Sequence, residues 1–426
     1  MATDVDVQYF SHLNGLTLGN NWGDLIRLLD KALVTGIDFT SITAASINAQ
    51  GDVHITLYAA HNAMLFQVVE LSGFTPASLN QKYRIKGVPN TTQLILKPKT
   101  DIVERSITTT GAAKLSSLGY EIIFRDTNDV KRVYRAKNPT AQHPFIRVDE
   151  SLTSPDGTTG VYTSTYAKYA MVGLLEHMEH IDDFENPNVL QLPFDPANPA
   201  KNWNIAGTGT EVVRGWSRWY WRRSGGLTNS YIQDASSPMS GAARFTIVGN
   251  ADAFYFLRCH QATDTESNKQ MSGCGLFNSA LPTDLVPNWF LFSTLTQNTP
   301  SNSFTMRDAV GACPLGGTSD PSKFFASSSD PTSHPAASID SFGIVPDGSS
   351  GNTALYSATN MPALEVPFYD ANKFLRGVLR HVCYFGKTAI STKISPTIEE
   401  NSIYIIERAY INNSAGAFAF YLGELE

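Results

Sequence analysis

Within WSRWYWRRSGG, residues 216–226, three tryptophans, one tyrosine and three arginines fall inside eight positions. On a strand, Trp216, Arg218, Tyr220 and Arg222 share one face, and Ser217, Trp219, Trp221 and Arg223 the other. An exposed row of this kind stacks on sugar rings or bases, with arginines adding hydrogen bonds and cation–π contact. Buried, the same rings anchor a core while the arginines reach solvent or a neighbouring subunit. Trp, Tyr and Arg are also the residues that dominate protein–protein hot spots. Sheet packing is the first reading, a subunit contact the second, and a glycan or nucleic-acid contact the third.

A second cluster, EHMEHIDDFE at 176–185, holds Glu176, His177, Glu179, His180, Asp182 and Asp183. On a helix, His177 and His180 would share a face, as metal ligands often do. The zincin arrangement, histidines four apart with Glu beside the first, is absent. On a strand, His177 and Glu179 share a face, and a solvated edge and turn is favoured over a metal site. There is no G-x-S-x-G nucleophile turn, phosphate loop or dinucleotide fingerprint. Cys259 and His260 are only neighbours in the chain, and neighbouring strand residues point to opposite faces. A pair of glycosidase carboxylates needs no fixed spacing, and no pair stands out. The expectation is a protein that is not an enzyme, with no catalytic residue, cofactor or metal.

The elements that position these clusters are mostly strands. Charged residues make up 17% of the 426 residues, and glycine, proline, serine, threonine and asparagine are frequent. That mixture suits short strands joined by turns better than long charged helices. One helix stands out. In NNWGDLIRLLDKALVTGI, residues 20–37, apolar side chains recur at spacings of three and four, from Trp22 and Leu25 to Leu33. Asn20 or Asn21 is placed to cap its start, and Gly36 to end it. The expected fold is mainly β with a minor α component: several small barrels or sandwiches and one N-terminal amphipathic helix.

The expected organisation is an N-terminal arm and helix (1–37), a small β-barrel or sandwich module (38–105) and a β-rich central domain (106–297). A Ser/Pro/Gly-rich loop excursion (298–362) and C-terminal strands completing the central domain (363–426) follow. YEIIFRDTNDVKRVYRA signals a hairpin turning at Asp126–Asp129, and GAARFTIVGNADAFYFLRCH one turning at Gly249–Asp252. AKYAMVGLLEHMEHIDDF is ambiguous between strand and helix, and strand is preferred. Cys259, Cys274, Cys313 and Cys383 are far apart and read as free, mostly buried thiols rather than a disulfide framework.

A net charge of −7 gives no support for direct nucleic-acid binding. No run approaches the roughly eighteen apolar residues of a membrane span. The opening MATDVDVQYF has no apolar signal run, so cytoplasmic synthesis is expected.

Taken together, several segments resemble virion structural proteins of tailed bacteriophages. They run from the helix through AAHNAMLFQVVELSGFTPASLNQKYRIKGV, YEIIFRDTNDVKRVYRA and YAMVGLLEHMEHIDD to YWRRSGG, ARFTIVGNADAFYFL and GLFNSALPTD. His61, Val68 or Val69, Gly73, Pro76, Leu79 and Asn80 are similar to a small β module of phage tail and virion proteins. Asn62 stands where that module has glycine. The resemblance covers residues 8–285 and carries no catalytic residue.

It implies a structural component of the virion (tail, baseplate, neck or head decoration) made in the host cytoplasm. The subunit would assemble with copies of itself and with other virion proteins, with a surface glycan as a further partner. The residues expected at such contacts are Trp22, Leu25, Trp216, Arg218, Trp219, Tyr220, Trp221 and Arg222. The alternatives are a carbohydrate- or receptor-binding phage protein, or a glycan-degrading enzyme whose two carboxylates face each other at about 5–9.5 Å.

Overall fold

The computed structural model describes residues 3–151, 166–195, 197–206, 213–215, 217–223, 237–259, 269–281, 287–292, 323–328, 338–344, 364–385, 395–411 and 414–425. Strands dominate them, as the turn-rich, low-charge composition implies, and three large antiparallel sheets result.

The amphipathic segment forms an α-helix over Asp24–Leu29 that widens into a π-helical stretch over Asp30–Thr35. Leu25, Ile26, Leu28, Leu29, Ala32 and Leu33 are buried. Gly36 ends it, at a φ of 71°, by donating its N–H to the Lys31 carbonyl. The start differs from expectation. Gly23, not an asparagine, is the N-cap, and it has no side chain to offer. The Glu150 carboxylate, just past the end of the distant strand Phe145–Asp149, takes that role, accepting the N–H groups of Gly23 and Ile26, the latter at 2.7 Å. Burial pushes its pKa up from 4.5 to about 8, and the two N–H bonds offset this only in part.

Residues 37–115 form a seven-stranded sheet ordered Ile37–Asp38, Ala112–Leu115, Val68–Ser72, Lys82–Asn90, Gln93–Pro98, Val53–Leu57, Ile42–Ile47. In Val53–Leu57, Val53, Ile55 and Leu57 are buried while His54 and Thr56 are half-buried, the alternation legible in the sequence. Asn48 and Asp52 close a three-residue hairpin loop in which Gly51 takes a φ of 90°.

The second sheet contains the expected hairpin, Tyr120–Arg125 with Lys131–Ala136, and continues through Phe145–Asp149 to Lys168–Leu175. Asp126 closes the hairpin turn by accepting the N–H groups of Val130 and Lys131 at 3.0 and 2.7 Å. The ambiguous AKYAMVGLL segment is thus a strand, buried along its whole length.

The third sheet holds thirteen strands among the described residues and joins the two ends of the chain. Gln8–Ser11 pairs with Phe245–Gly249, which turns through Asn250–Asp252 into Ala253–Arg258. The sheet runs on to the C-terminal strands Ser402–Ile411 and Ser414–Glu424, with Ser395–Glu399 at its edge. It curls enough that Tyr255 lies 5.6 Å, ring to ring, from Phe420. The Ser/Pro/Gly-rich stretch, expected as a loop excursion, contributes two strands, Lys323–Ser327 and Ser338–Gly343. The apolar Phe324, Phe325 and Ala326 are buried there, inside an otherwise polar run. Cys259, Cys274 and Cys383 are free and buried, as expected; Cys313 lies outside the described residues.

Arg84 fastens these parts together. It is fully buried, and its guanidinium makes five hydrogen bonds to four main-chain carbonyls: Asp4 twice (3.0 and 2.7 Å), Val7 (2.9 Å), Phe66 (2.8 Å) and Leu422 (2.7 Å). Five N–H donors meet carbonyl oxygens, so nothing on the group is left unpaired. Burial lowers its pKa to about 10, leaving it cationic at neutral pH. Gln8 adds a second tie, with its amide donating to the Val68 and Ser116 carbonyls at 2.8 Å and accepting from the Val68 N–H at 2.9 Å.

Replacing Arg84 by Met should cost about 3–5 kcal/mol in denaturant unfolding, because buried carbonyls lose their donors. Arg84→Lys should recover part of this, having three donors in place of five. An Arg84→Met midpoint equal to wild type would refute the role. For Glu150 the folded-state pKa lies above the unfolded one, so its contribution is full below 4.5 and lost as pH rises through about 8. Wild-type stability should therefore fall relative to Glu150→Gln across that window, and parallel pH curves would contradict it.

Candidate functional site

The Arg/Trp segment forms the strand Arg218–Arg222, paired antiparallel with Lys168–Leu175 so that Ala170 faces Trp219 and Met171 faces Arg218. All five of its residues are buried. Trp216 lies outside the described residues. The alternation expected of a strand separates the side chains into two interiors. Trp219 and Trp221 enter the main core; Tyr220 enters a second cluster with Tyr169, Met171 and Trp203.

Several polar groups on this strand bond within the chain. The Trp219 indole N–H donates to the Phe292 carbonyl at 2.8 Å, and its ring meets Phe254 edge-on at 5.9 Å. Trp221 meets Trp22 edge-on at 5.7 Å. Arg218 donates to the Tyr220 hydroxyl at 3.1 Å and lies 5.2 Å from the Tyr169 ring. Arg222 donates to the carbonyls of Gly19 and Leu18, both at 3.1 Å, and to that of Gly241. It thereby holds the segment leading into the helix. Trp22 is half-buried, with the Lys168 ammonium 4.9 Å from its ring. Burial lowers the Lys168 pKa to about 8, offset in part by Asp24. Leu25 is fully buried.

The structure therefore brings six of the expected contact residues, Trp22, Arg218, Trp219, Tyr220, Trp221 and Arg222, around one strand pairing, with Leu25 in the same core. Five of the six are interior. A sugar- or base-stacking platform required Trp219 and Trp221 at the surface, and both are at 0% exposure. The arginines do not reach solvent: Arg218 and Arg222 are buried, Arg222 against main-chain carbonyls and Arg218 against the Tyr220 hydroxyl and the Tyr169 ring.

The EHMEHIDDFE segment leaves the Lys168–Leu175 strand as a turn, and Arg147 pins it. That buried guanidinium donates to the Ile181 carbonyl (2.6 Å) and Asp182 (2.8 Å), and pairs with Asp149 (3.0 Å). It also lies over the neighbouring Phe184 and Trp203 rings, 4.6 and 4.4 Å from their centroids. His177 lies exposed, 3.6 Å from Glu179. Among the described residues no three His, Cys, Asp or Glu side chains converge on a metal position.

Sequence reading missed one cluster. The Thr140 hydroxyl lies 2.9 Å from His143 Nδ1, and His143 Nε2 lies 2.9 Å from Asp252, whose other oxygen accepts from Arg380. The His143 hydrogen bond first, with the Arg380 charge behind it, holds the Asp252 carboxyl below its ordinary pKa against the opposing effect of burial. The order hydroxyl, imidazole, carboxylate is that of an activated nucleophile. However, the Thr140 N–H also donates to Nδ1, at 3.0 Å, so the basic lone pair is engaged within its own turn. The arrangement clamps that turn to the Asn250–Asp252 turn across 109 residues of sequence. No sequence spacing could have revealed it.

Two open polar clefts flank these elements. One, of about 730 Å³, is lined by Lys82, Lys114, Glu121 and the His143–Asp252 pair; the other, of about 640 Å³, by Asp24, Arg27, Arg125 and Asp129. Several of their charges are already paired: Lys114 with Glu70 (3.5 Å), Arg27 with Asp24 (2.6 Å) and Arg125 with Asp129 (3.5 Å).

No protein-family model matches the chain, and no curated protein matches it. Among solved structures, the phage phi92 endosialidase aligns with 91% of this chain at 11% identity and a TM-score of 0.16. The aligned part is 52% of that protein, so this chain spans about half its length. At that TM-score the alignment carries no argument about fold or chemistry.

Truncating Trp219 to Ala should cost about 3–5 kcal/mol, because a packed ring and the donor to Phe292 are lost together. Urea unfolding followed by circular dichroism measures this. A loss below ~1 kcal/mol would place the ring at a surface instead.

Proposed function

We propose that this chain is a non-enzymatic structural subunit of a tailed-phage particle, placed in the tail, baseplate or neck or on the head surface. It works by assembling with copies of itself and with other virion proteins. The observation that carries this reading is the use made of the residues on which the virion resemblance rests. Gly73 adopts a φ of 72°, and a cis bond joins Thr75 to Pro76. Leu79 is fully buried, and Asn80 clasps Phe74, accepting its N–H at 2.8 Å and donating to its carbonyl at 3.0 Å. His61 likewise accepts the Ala63 N–H at 3.1 Å. Gly73, Pro76, Leu79, Asn80 and His61 shape turns beside the seven-stranded sheet, Val68 and Val69 are buried in one of its strands, and all but His61 lie away from the described clefts. The one exception in position, His61, borders a shallow hollow through a ring already bonded to the main chain.

The Arg/Trp strand supports the same reading, since its chemistry ties sheet to sheet. A subunit that must keep its shape while neighbours load it needs such internal cross-links more than it needs an open site.

Mass analysis of purified particles, with copy number per virion, tests the proposal. A few copies point to the tail tip or neck, dozens to the baseplate periphery, and hundreds to head decoration. Absence of the chain from the particle would overturn it, as would turnover of host surface polysaccharide by the purified protein.

A further inference from the structure

We infer that the edge strand Ile42–Ile47 is a self-association surface, pairing antiparallel with the same strand of a second copy. The inference rests on the self-assembly reading and names the surface that would serve it.

Ile42–Ile47 ends the seven-stranded sheet, and among the described residues it pairs with Val53–Leu57 alone. The Asn48 N–H bonds to the Asp52 carbonyl, which sets the hydrogen-bonded positions of that pairing at 48, 46 and 44. The intervening residues, Ala45 and Ile47, direct their N–H and C=O groups away from the sheet. Such a row invites another strand unless it is guarded.

Other edges are guarded. Ser395–Glu399 carries Pro396 and Glu399; Tyr120–Arg125 carries Glu121 and Arg125 and lies against the end of the helix. Ile42–Ile47 has neither proline nor charge, and residues 39–51 contain no ionisable side chain at all. Ala44 and Ser46 are exposed, and they border a shallow groove of about 260 Å³ with Thr56 and Pro89.

A second copy fits this edge better than a charged partner would. Two copies of a chain of net charge −7 repel on average, and this strand brings no ionisable side chain of its own to the contact. A two-fold antiparallel pairing sets the strand against itself. Ala45 then faces either Ala45 or Ile47 of the partner, and Ala44 and Ser46 bring only small side chains to the seam.

Light scattering and native mass measurement of the full chain at matched concentrations test this. Wild type should associate, and a variant carrying Ala44→Lys and Ser46→Lys should associate ~10-fold or more weakly, because like charges are placed across the two-fold. Mixing it with a variant carrying Ala44→Glu and Ser46→Glu should restore a 1:1 pair, which shows that both variants are folded. Equal association of wild type and the lysine variant would overturn the edge pairing and leave the self-assembly reading standing. A wild type that stays monomeric at every concentration would overturn both.

Discussion

The Arg84 guanidinium is the interaction on which the rest of the arrangement depends. It carries a full charge in the interior, where an ionised group without partners is costly. Its five donors meet carbonyl oxygens from the N-terminal arm, from the seven-stranded sheet and from the C-terminal strand. One side chain thus binds residue 4 to residue 66 and residue 422. No second ionised group need be buried beside it, since main-chain oxygens already carry partial negative charge.

The same device recurs through a chain that has few charges to use. Arg222 bonds the carbonyls that lead into the helix, and Arg147 combines a carbonyl, two carboxylates and two aromatic faces. Arg258 reaches the Tyr220 carbonyl across from the large sheet. Lys269, just before the strand Gln270–Leu276, and Glu407 in Ser402–Ile411, both buried, form an ion pair at 2.6 Å between segments far apart in sequence. Apolar contact supplies the bulk of the stability, but it is non-directional. The arginines supply direction, fixing which sheet meets which and at what angle.

The division between what was legible and what was not follows interaction range. The N-terminal helix, the alternation in Val53–Leu57, the hairpins at Asp126–Asp129 and Gly249–Asp252 and the strand over Lys168–Leu175 all follow from patterns within a few residues. The helix cap was misassigned because the group that performs it, Glu150, lies 124 residues from the N–H of Ile26. The two strands inside the Ser/Pro/Gly-rich stretch were hidden because a short apolar run such as Phe324–Ala326 is outweighed by its polar surroundings in any local window.

For WSRWYWRRSGG the sequence alone determined residue chemistry and strand alternation, which sends Trp219 and Trp221 one way and Tyr220 the other. Whether those faces meet water, a ligand or the chain itself was decided by tertiary structure. Burial depends on which distant strands close over a segment, here Ala253–Arg258 and Trp289–Phe292 from one side and the Trp203 region from the other. A local pattern records that a side chain is apolar or can donate. It holds no record of the carbonyl, many residues away, that will accept.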